Sequence, residues 1–311
     1  MAKAKRKTKK ENSKIGVILG VILAVILIIM SVAEKNGFDL SWELKKKLGI
    51  ADECTENLEV HFIDVGQGDC IFIRTPEKNM LIDCGETDMG GTVLNYLDKK
   101  HVKKLDYVIA THPHSDHIGC MSEIVENVEV GELIMPYLPD EDIPTTRYFE
   151  KLLDAMDKAD LDITEAETGM KLKLGEAEVT LLAPEEKCGN ANNYSVGAIL
   201  THGRNSFVFT GDAEKSAEKY FLKSGLLSDC TVYKAGHHGS TTSSSADLLD
   251  EIRPEYAVIM CGKDNSYGHP NEDALDRIGK YVSGKNIYRT DLCGTVKIVS
   301  DGEKITVETE K

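Results

Sequence analysis

The sequence predicts an α/β fold built as a four-layer αββα sandwich, two mixed sheets face to face with helices outside, preceded by one N-terminal transmembrane helix. Three observations predict it. Short β-rich runs outnumber helical ones along residues 58–311, the second half restarts the pattern of the first with no linker between them, and an uncharged run, 15–33, precedes both. Sheets that carry helices on their outer faces are how such a pattern buries its apolar surface. With 311 residues, 41% of them hydrophobic, the chain can build one large core, which excludes wholesale disorder and a collagen-like fibre. No period of 20–50 residues repeats, which excludes a solenoid. Eight cysteines in so long a chain are too sparse for a disulfide framework, and mostly free thiols are expected.

Residues 1–14 form a basic tail carrying Lys3, Lys5, Arg6, Lys7, Lys9, Lys10 and Lys14. The run 15–33 then gives roughly 28 Å of helix, about one bilayer core. Basic flanks stay on the cytoplasmic side, so a single-pass anchor is expected, with the C-terminal domain outside the cytoplasm. The alternative is secretion after signal cleavage near Ala33, because Ser31-Val32-Ala33 has the small residues of a cleavage site. Residues 34–57 read as a juxtamembrane linker. Residues 1–33 carry seven basic residues and Glu11, a net of +6, so setting them aside takes the charge from −15 to −21. So acidic a domain repels nucleic acid at long range, which counts against a sequence-reading DNA binder but not against an enzyme with cations in its cleft.

Residues 58–63, 70–74 and 79–83 are β-rich, split by the turns Gly66-Gln67-Gly68-Asp69 and Pro76-Glu77-Lys78-Asn79. Helical spacing covers 91–100 and 121–127. Strand 105–111 ends in a His-rich loop, strand 130–135 follows, and Pro136, Pro139 and Pro144 mark a loop. Tyr148, Leu152, Leu153 and Met156 recur at helical spacing over 146–159. In the second half, strands are expected at 178–182, 196–201, 206–210, 231–235, 256–260, 287–290, 295–299 and 304–308. Helices are expected at 213–223, 246–252 and 273–282. Strand 231–235 ends in a second His-rich loop.

The strongest chemical signal is Thr111-His112-Pro113-His114-Ser115-Asp116-His117. It follows a strand end, where loops carry functional groups. An extended His-x-His puts two imidazoles on one side, and Asp-His two residues later offers a second pair. Imidazole plus carboxylate suits zinc, manganese or iron. Four donors in six residues crowd one tetrahedral ion, so two adjacent divalent ions are the economical reading. Other donors stand at other strand ends: Asp212, the pair His237 and His238, and Asp83, placed to orient a ligand histidine from behind. Taken singly, Asp83 and Asp212 read equally well as turn or cap residues. Asp64 and Asp69 flank the Gly-Gln-Gly turn and read either as turn chemistry or as the floor of a site.

These residues resemble the metallo-β-lactamase superfamily, and within it the hydrolase domain of the ComEC competence (DNA-uptake) family and its free-standing relatives. The resemblance covers residues 58–311, one hydrolase domain. It rests on Phe62-Ile63-Asp64-Val65-Gly66-Gln67-Gly68-Asp69, Asp83-Cys84-Gly85, the His112–His117 motif, Asn192-Asn193-Tyr194-Ser195, Thr210-Gly211-Asp212, His237-His238-Gly239-Ser240 and Tyr267-Gly268-His269-Pro270, in the family's order. It implies that His112 and His114 bind one metal ion. Asp116 and His117 bind a second, together with His238 or His237, with His238 favoured and His237 on the substrate side. Asp212 bridges the ions, which are zinc or manganese, and a metal-bridging hydroxide is the nucleophile. His269 reads as a pocket wall or as a proton donor to the leaving group, or as a loop-locking residue. The Ser240 hydroxyl holds phosphate oxygens or caps the following helix.

One departure stands out. The wider superfamily places a further histidine ligand between the His-rich motif and the bridging Asp, and here the only histidine in that stretch is His202. The first ion would draw on an Asn193 carbonyl or on water, which favours manganese over zinc. The implied function is phosphodiester hydrolysis, with single-stranded DNA as a substrate. Since one hydrophobic segment is not a multi-pass channel, a separate DNA-uptake channel protein is the implied partner. Alternatives are hydrolysis of a carbon ester, a lactam or a cell-envelope phosphodiester such as phosphocholine, and a non-catalytic metal-binding module, because fold alone supports no particular substrate.

Overall fold

In the computed structural model, which describes residues 57–184 and 189–311, the apolar runs pair into two large sheets. The first has eight strands in the order Ile305–Thr309 (β17), Val296–Ser300 (β16), Leu58–Phe62 (β1), Ile71–Arg74 (β2), Asn79–Ile82 (β3), Tyr107–Ile109 (β5), Leu133–Met135 (β7) and Ile163–Glu165 (β8). The second has seven: Ile287–Arg289 (β15), Tyr256–Ile259 (β14), Val232–Lys234 (β13), Asn205–Phe209 (β12), Gly197–His202 (β11), Ala177–Leu182 (β10) and Lys171–Leu174 (β9). Lys104–Leu105 (β4) and Glu129–Val130 (β6) form a small separate ribbon.

The inner faces meet through Val60, Phe62 and Ile73 from one sheet and Val179, Leu200, Phe207 and Phe209 from the other. The rings of Phe62 and Phe209 lie 6.3 Å apart. Helices Gly90–Lys99, Met121–Asn127 and Arg147–Ala159 cover the outer face of the first sheet through Val93, Leu97, Ile124, Leu152 and Met156. Lys215–Lys223, Ala246–Ile252 and Glu272–Ile278 cover the second through Ala217, Phe221, Leu248, Leu249 and Ile278. This is the αββα sandwich the alternation predicts. The expected membrane helix, 15–33, lies outside the described residues; among those, no helix is long and apolar enough to cross a membrane. The described cysteines are free; Cys70, Cys84, Cys230 and Cys261 are buried as the apolar runs around them predict, Cys120 is buried as well, and Cys293, expected to be buried on the same ground, is only half-buried.

Several elements differ from expectation for local reasons. The expected strand 105–111 breaks at Asp106, whose amide donates to Asn79 O and whose carboxylate accepts from Asn79 N. The expected helix 213–223 starts at Lys215, and Leu153 on the expected buried stripe is exposed, with Phe149 and Ala155 packed instead. β8 and β9 are absent from the sequence reading. In β9, Leu172 and Leu174 point inward while Lys171 and Lys173 reach Glu178 at 2.8 and 2.9 Å. Lysines on an edge strand discourage pairing with another chain.

One buried polar cluster sets a pH limit. His61 of β1 is fully buried, its Nε2 3.0 Å from the Glu59 carboxylate and its Nδ1 2.8 Å from the Tyr96 hydroxyl, and Arg74 Nε donates to the same carboxylate at 2.7 Å. Burial pushes His61 down from 6.5 to about 4. The unfolded chain therefore takes up a proton that the folded one refuses across that window, and stability falls as pH drops from 6.5 to 4, by up to about 3 kcal/mol. Urea unfolding at pH 7 and pH 4.5 should show this slope in the wild type and a flatter one in His61→Gln. Equal slopes would contradict the assignment.

Candidate metal centre

In both sheets the strands beside the site run parallel: β3, β5, β7 and β8 in one, β12 to β15 in the other. Their carboxyl ends therefore open at one edge, as ligand sites of parallel sheets do. Asp83 follows β3, the His-rich motif follows β5, Asp212 follows β12, and His237 and His238 follow β13. The Gly66–Asp69 turn closes over the motif, with Asp69 N donating to Asp116 O at 3.1 Å. A Cβ on Gly68, at φ +137°, would run into that same Asp116 carbonyl, so this position requires glycine. His237 (φ 49°) and His238 (φ 55°) both adopt the left-handed conformation. Two such non-glycine residues in a row cost roughly 1–2 kcal/mol each, the kind of strain that concentrates at functional sites.

Asp116, His117, Asp212 and His238 bring one donor atom each within 4.8 Å of one another. Asp212 Oδ2 is the centre: it lies 3.2 Å from His117 Nε2, 3.4 Å from His238 Nε2, 3.6 Å from His237 Nε2 and 3.9 Å from His112 Nε2. His238 Nε2 also lies 3.3 Å from Asp116 Oδ2. Beside this group, His112 Nε2 and His114 Nδ1 converge at 3.0 Å.

The groups behind the imidazoles fix which nitrogen faces the cleft. Asp83 Oδ2 accepts from His117 Nδ1 at 2.8 Å and from the Thr111 hydroxyl at 2.6 Å, while Asp83 Oδ1 accepts from Thr111 N. With its proton committed to Asp83, the Thr111 hydroxyl is left to accept from His112 Nδ1, 3.2 Å away. The Met260 carbonyl accepts from His238 Nδ1 at 2.9 Å. His112, His117 and His238 thus all turn Nε2 inward, the nitrogen a cation would take in place of a proton, and His117 Nε2, His238 Nε2 and Asp212 Oδ1 are buried without a hydrogen-bond partner. Lys234, fully buried, pairs with Asp69 and donates to Gly211 O at 3.4 Å; Asp69 Oδ1 in turn lies 3.3 Å from His238 Nδ1.

Four carboxylates, Asp69, Asp83, Asp116 and Asp212, thus share the site with one ammonium. Burial alone would push Asp212 up and His117 and His238 down. Their mutual attraction overrides it, holding Asp212 well below and both histidines well above their ordinary values. Asp83, where burial dominates, is raised. A buried excess of negative charge that recruits protons in this way is a fit for divalent cations, which would displace them. Asp83→Asn leaves the cleft intact but loosens the hold on His117, so metal affinity should fall about 10–100-fold. Equilibrium dialysis against manganese reads it; unchanged affinity would contradict the role.

Of the remaining candidates, His269 joins Gln67, His114, Asp116, His237 and His238 in a cleft of about 310 Å³. Burial, then the neighbouring imidazoles His238 and His237, push His269 down to about 4, so it faces the cleft as a neutral hydrogen-bonding group. Its loop is locked through the backbone, His269 N donating to the Asn265 side chain. Asp64 takes the turn reading of its two, accepting from Gly66 N and facing Lys311 outside the cluster, and two other residues stand elsewhere than expected. The Ser240 hydroxyl is 3.0 Å from Thr242 Oγ1, which is 3.2 Å from His237 Nδ1, so Ser240 is turned to its own loop. The Asn193 side-chain carbonyl accepts from Glu214 N and Ala217 N at the start of helix Lys215–Lys223, so it is not aimed at an ion. His202 bonds Ser300 at the opposite end of β11 from the site and does not replace the missing ligand. Lys234 carried no role in the sequence reading, although a lysine inside an apolar strand was the available signal. Ser195 was also unassigned; its Oγ accepts from Asp212 N at 3.0 Å and lies 3.4 Å from His112 Nδ1.

An αββα sandwich with a His/Asp cluster at its strand ends defines a class of metal-binding protein. The chain belongs to the metallo-beta-lactamase superfamily, which it matches over residues 63–263. It is 30% identical over 258 residues to ComE operon protein 3 of Bacillus subtilis, 77% of this chain and 32% of that protein. It is 29% identical to Recombination protein 2 of Haemophilus influenzae (77% and 28%) and 28% identical to Competence protein ComA of Neisseria gonorrhoeae (75% and 31%). It therefore spans about a third of the length of these relatives and is related to competence proteins. Among solved structures, the diiron β-hydroxylase CmlA of Streptomyces venezuelae has a TM-score of 0.52 at 15% identity, over 79% of this chain and 54% of that one. The metallo-beta-lactamase fold protein YhfI of Bacillus subtilis has a TM-score of 0.50 at 14% identity, over 81% and 100%. Both likenesses are likenesses of fold.

Proposed function

We propose that the chain is a membrane-anchored, extracytoplasmic phosphodiesterase that uses two divalent ions. The observation that carries it is the convergence of His112 Nε2, His117 Nε2 and His238 Nε2 on Asp212, with Asp116 and His114 on the flanks. Asp116, His117, His238 and Asp212 would hold one ion, and His112 and His114, with Asp212 in common, would hold the other. Bound ions supply Lewis acidity toward a phosphoryl oxygen and lower the pKa of water. The chain's own residues do the rest. Asp83, Thr111 and Met260 O hold the ligand imidazoles, and neutral His237 and His269 line the cleft as hydrogen-bonding partners for the substrate's oxygens.

Tyr267 favours a nucleotide substrate. It is 69% exposed at the cleft rim, and its ring stacks on His269 at 5.8 Å and 20°. The Asn265 side chain holds it there, accepting from Tyr267 N and His269 N. Exposed rings of this kind stack on bases regardless of sequence. The charge of −21 over residues 34–311 favours short oligonucleotides over long polymers and keeps phosphocholine-type envelope diesters as the second reading. Residues 15–33 supply the anchor, and a separate channel protein is the partner if the substrate is DNA in transit. The test is a panel on the full chain in detergent with manganese: a single-stranded oligonucleotide, a choline phosphodiester, a chromogenic lactam and a carbon ester. Turnover of the oligonucleotide above the other three supports the reading, and turnover confined to the lactam or ester overturns it.

A further inference from the structure

The donors divide unevenly between the two proposed ions. Asp116, His117 and His238 surround one position together with Asp212, whereas His112 and His114 bring only two donors to the other, with Asp212 Oδ2 3.9 Å from His112 Nε2. The cleft wall beside His114 and Asp212 includes Asn192, and Asn192 Oδ1 is buried without a hydrogen-bond partner. An amide oxygen buried without a partner costs about 1–3 kcal/mol, and on a residue that lines the cleft that cost asks for a ligand. Five other cleft or cluster atoms share that condition, His117 Nε2, His238 Nε2, Asp212 Oδ1, Asp69 Oδ1 and His269 Nδ1, and the first three belong to the group of donors that could hold an ion. The adjacent Asn193 is already committed, its side chain taking the amides of Glu214 and Ala217. That commitment, with the Asn190 side chain accepting from Asn193 N at 3.0 Å, fixes the short turn that presents Asn192.

We propose that the side-chain carbonyl of Asn192 is the third protein ligand of the ion held by His112 and His114. The inference rests on the two-ion reading above. A neutral amide oxygen is a weaker and harder donor than imidazole, so this ion is the looser of the two and favours manganese or another oxygen-seeking cation over zinc.

The experiment is a manganese titration of the metal-free full chain, read by calorimetry and by the electron paramagnetic resonance signal of free manganese. The wild type should bind two ions, one tightly and one weakly. Asn192→Ala should weaken the loose site about 10–100-fold and leave the tight site unchanged. Asn192→Asp, which keeps an oxygen donor, should retain both, and Asn192→His should tighten the loose site and turn its preference toward zinc. Two ions bound by Asn192→Ala with wild-type affinities would overturn the inference and leave the two-ion reading standing. One ion per wild-type chain at saturation would overturn both. If Asn192→Ala does not fold, Asn192→His decides: no change in the loose site's affinity or zinc preference overturns the proposal.

Discussion

Asp212→Asn should lower phosphodiester turnover about a thousand-fold or more and reduce the metal content to at most one ion per chain. Asp212 Oδ2 lies within 4.0 Å of four imidazoles, those of His112, His117, His237 and His238, and no other described carboxylate touches both halves of the cluster. Removing one preorganised charged group from a water-poor site costs 10²–10³ in rate, and a group shared by two ions carries more. The amide keeps the shape, and the backbone hydrogen bond from Asp212 N to Ser195 remains, so the fold should survive. Metal analysis and steady-state kinetics on the same preparation check it. A variant that keeps two ions and wild-type turnover would remove Asp212 from the centre of the account.

Lys234→Met should destabilise the chain by about 3–5 kcal/mol, because it strands a buried carboxylate. Asp69 is 1% exposed and sits against the Lys234 ammonium, which burial and pairing make its main compensation; that ammonium pulls Asp69 down against the upward push of burial. For a domain of this size the loss is a fall in Tm of roughly 6–20 °C. The double variant Asp69→Asn/Lys234→Met, which removes both charges, should recover most of it, since the coupling between touching groups is not additive. Because Asp69 also lies against His238 Nδ1, both variants should weaken metal binding even where stability returns. A single variant as stable as the wild type would show that the pair is not what holds this wall of the cleft.

Much of this architecture is legible in the sequence because its signals are local. Residues 71–73 and 207–209 are apolar runs buried on both faces, and runs of that kind declare central strands, while 58–62 alternates Leu58, Val60 and Phe62 with Glu59 and His61. The His-rich motif is likewise local: a strand end followed by four donors in six residues. What is not legible depends on contacts between distant segments. β8 and β9 are short and half polar, and are strands only because β7 and β10 present edges to them. Nothing near Lys234 announces that Asp69, in the turn between β1 and β2 of the other sheet, will meet it. Asn192 and Asn193 are adjacent and alike in sequence, and only the packing of helix Lys215–Lys223 commits one of them and frees the other. The choice between His237 and His238 also needed structure. Their shared left-handed backbone turns His238 inward, 1% exposed, and leaves His237 partly open at the cleft.

The central claim, that this cluster hydrolyses phosphodiesters through bound divalent ions, is tested most directly by one time course. Bis(p-nitrophenyl) phosphate is given to the full chain after chelation, before and after manganese is restored, beside Asp116→Ala. The account predicts turnover that vanishes with chelation, returns with manganese and is lost in the variant. Folded, metal-loaded wild type that leaves the diester intact, or Asp116→Ala that hydrolyses it at the wild-type rate, would contradict it.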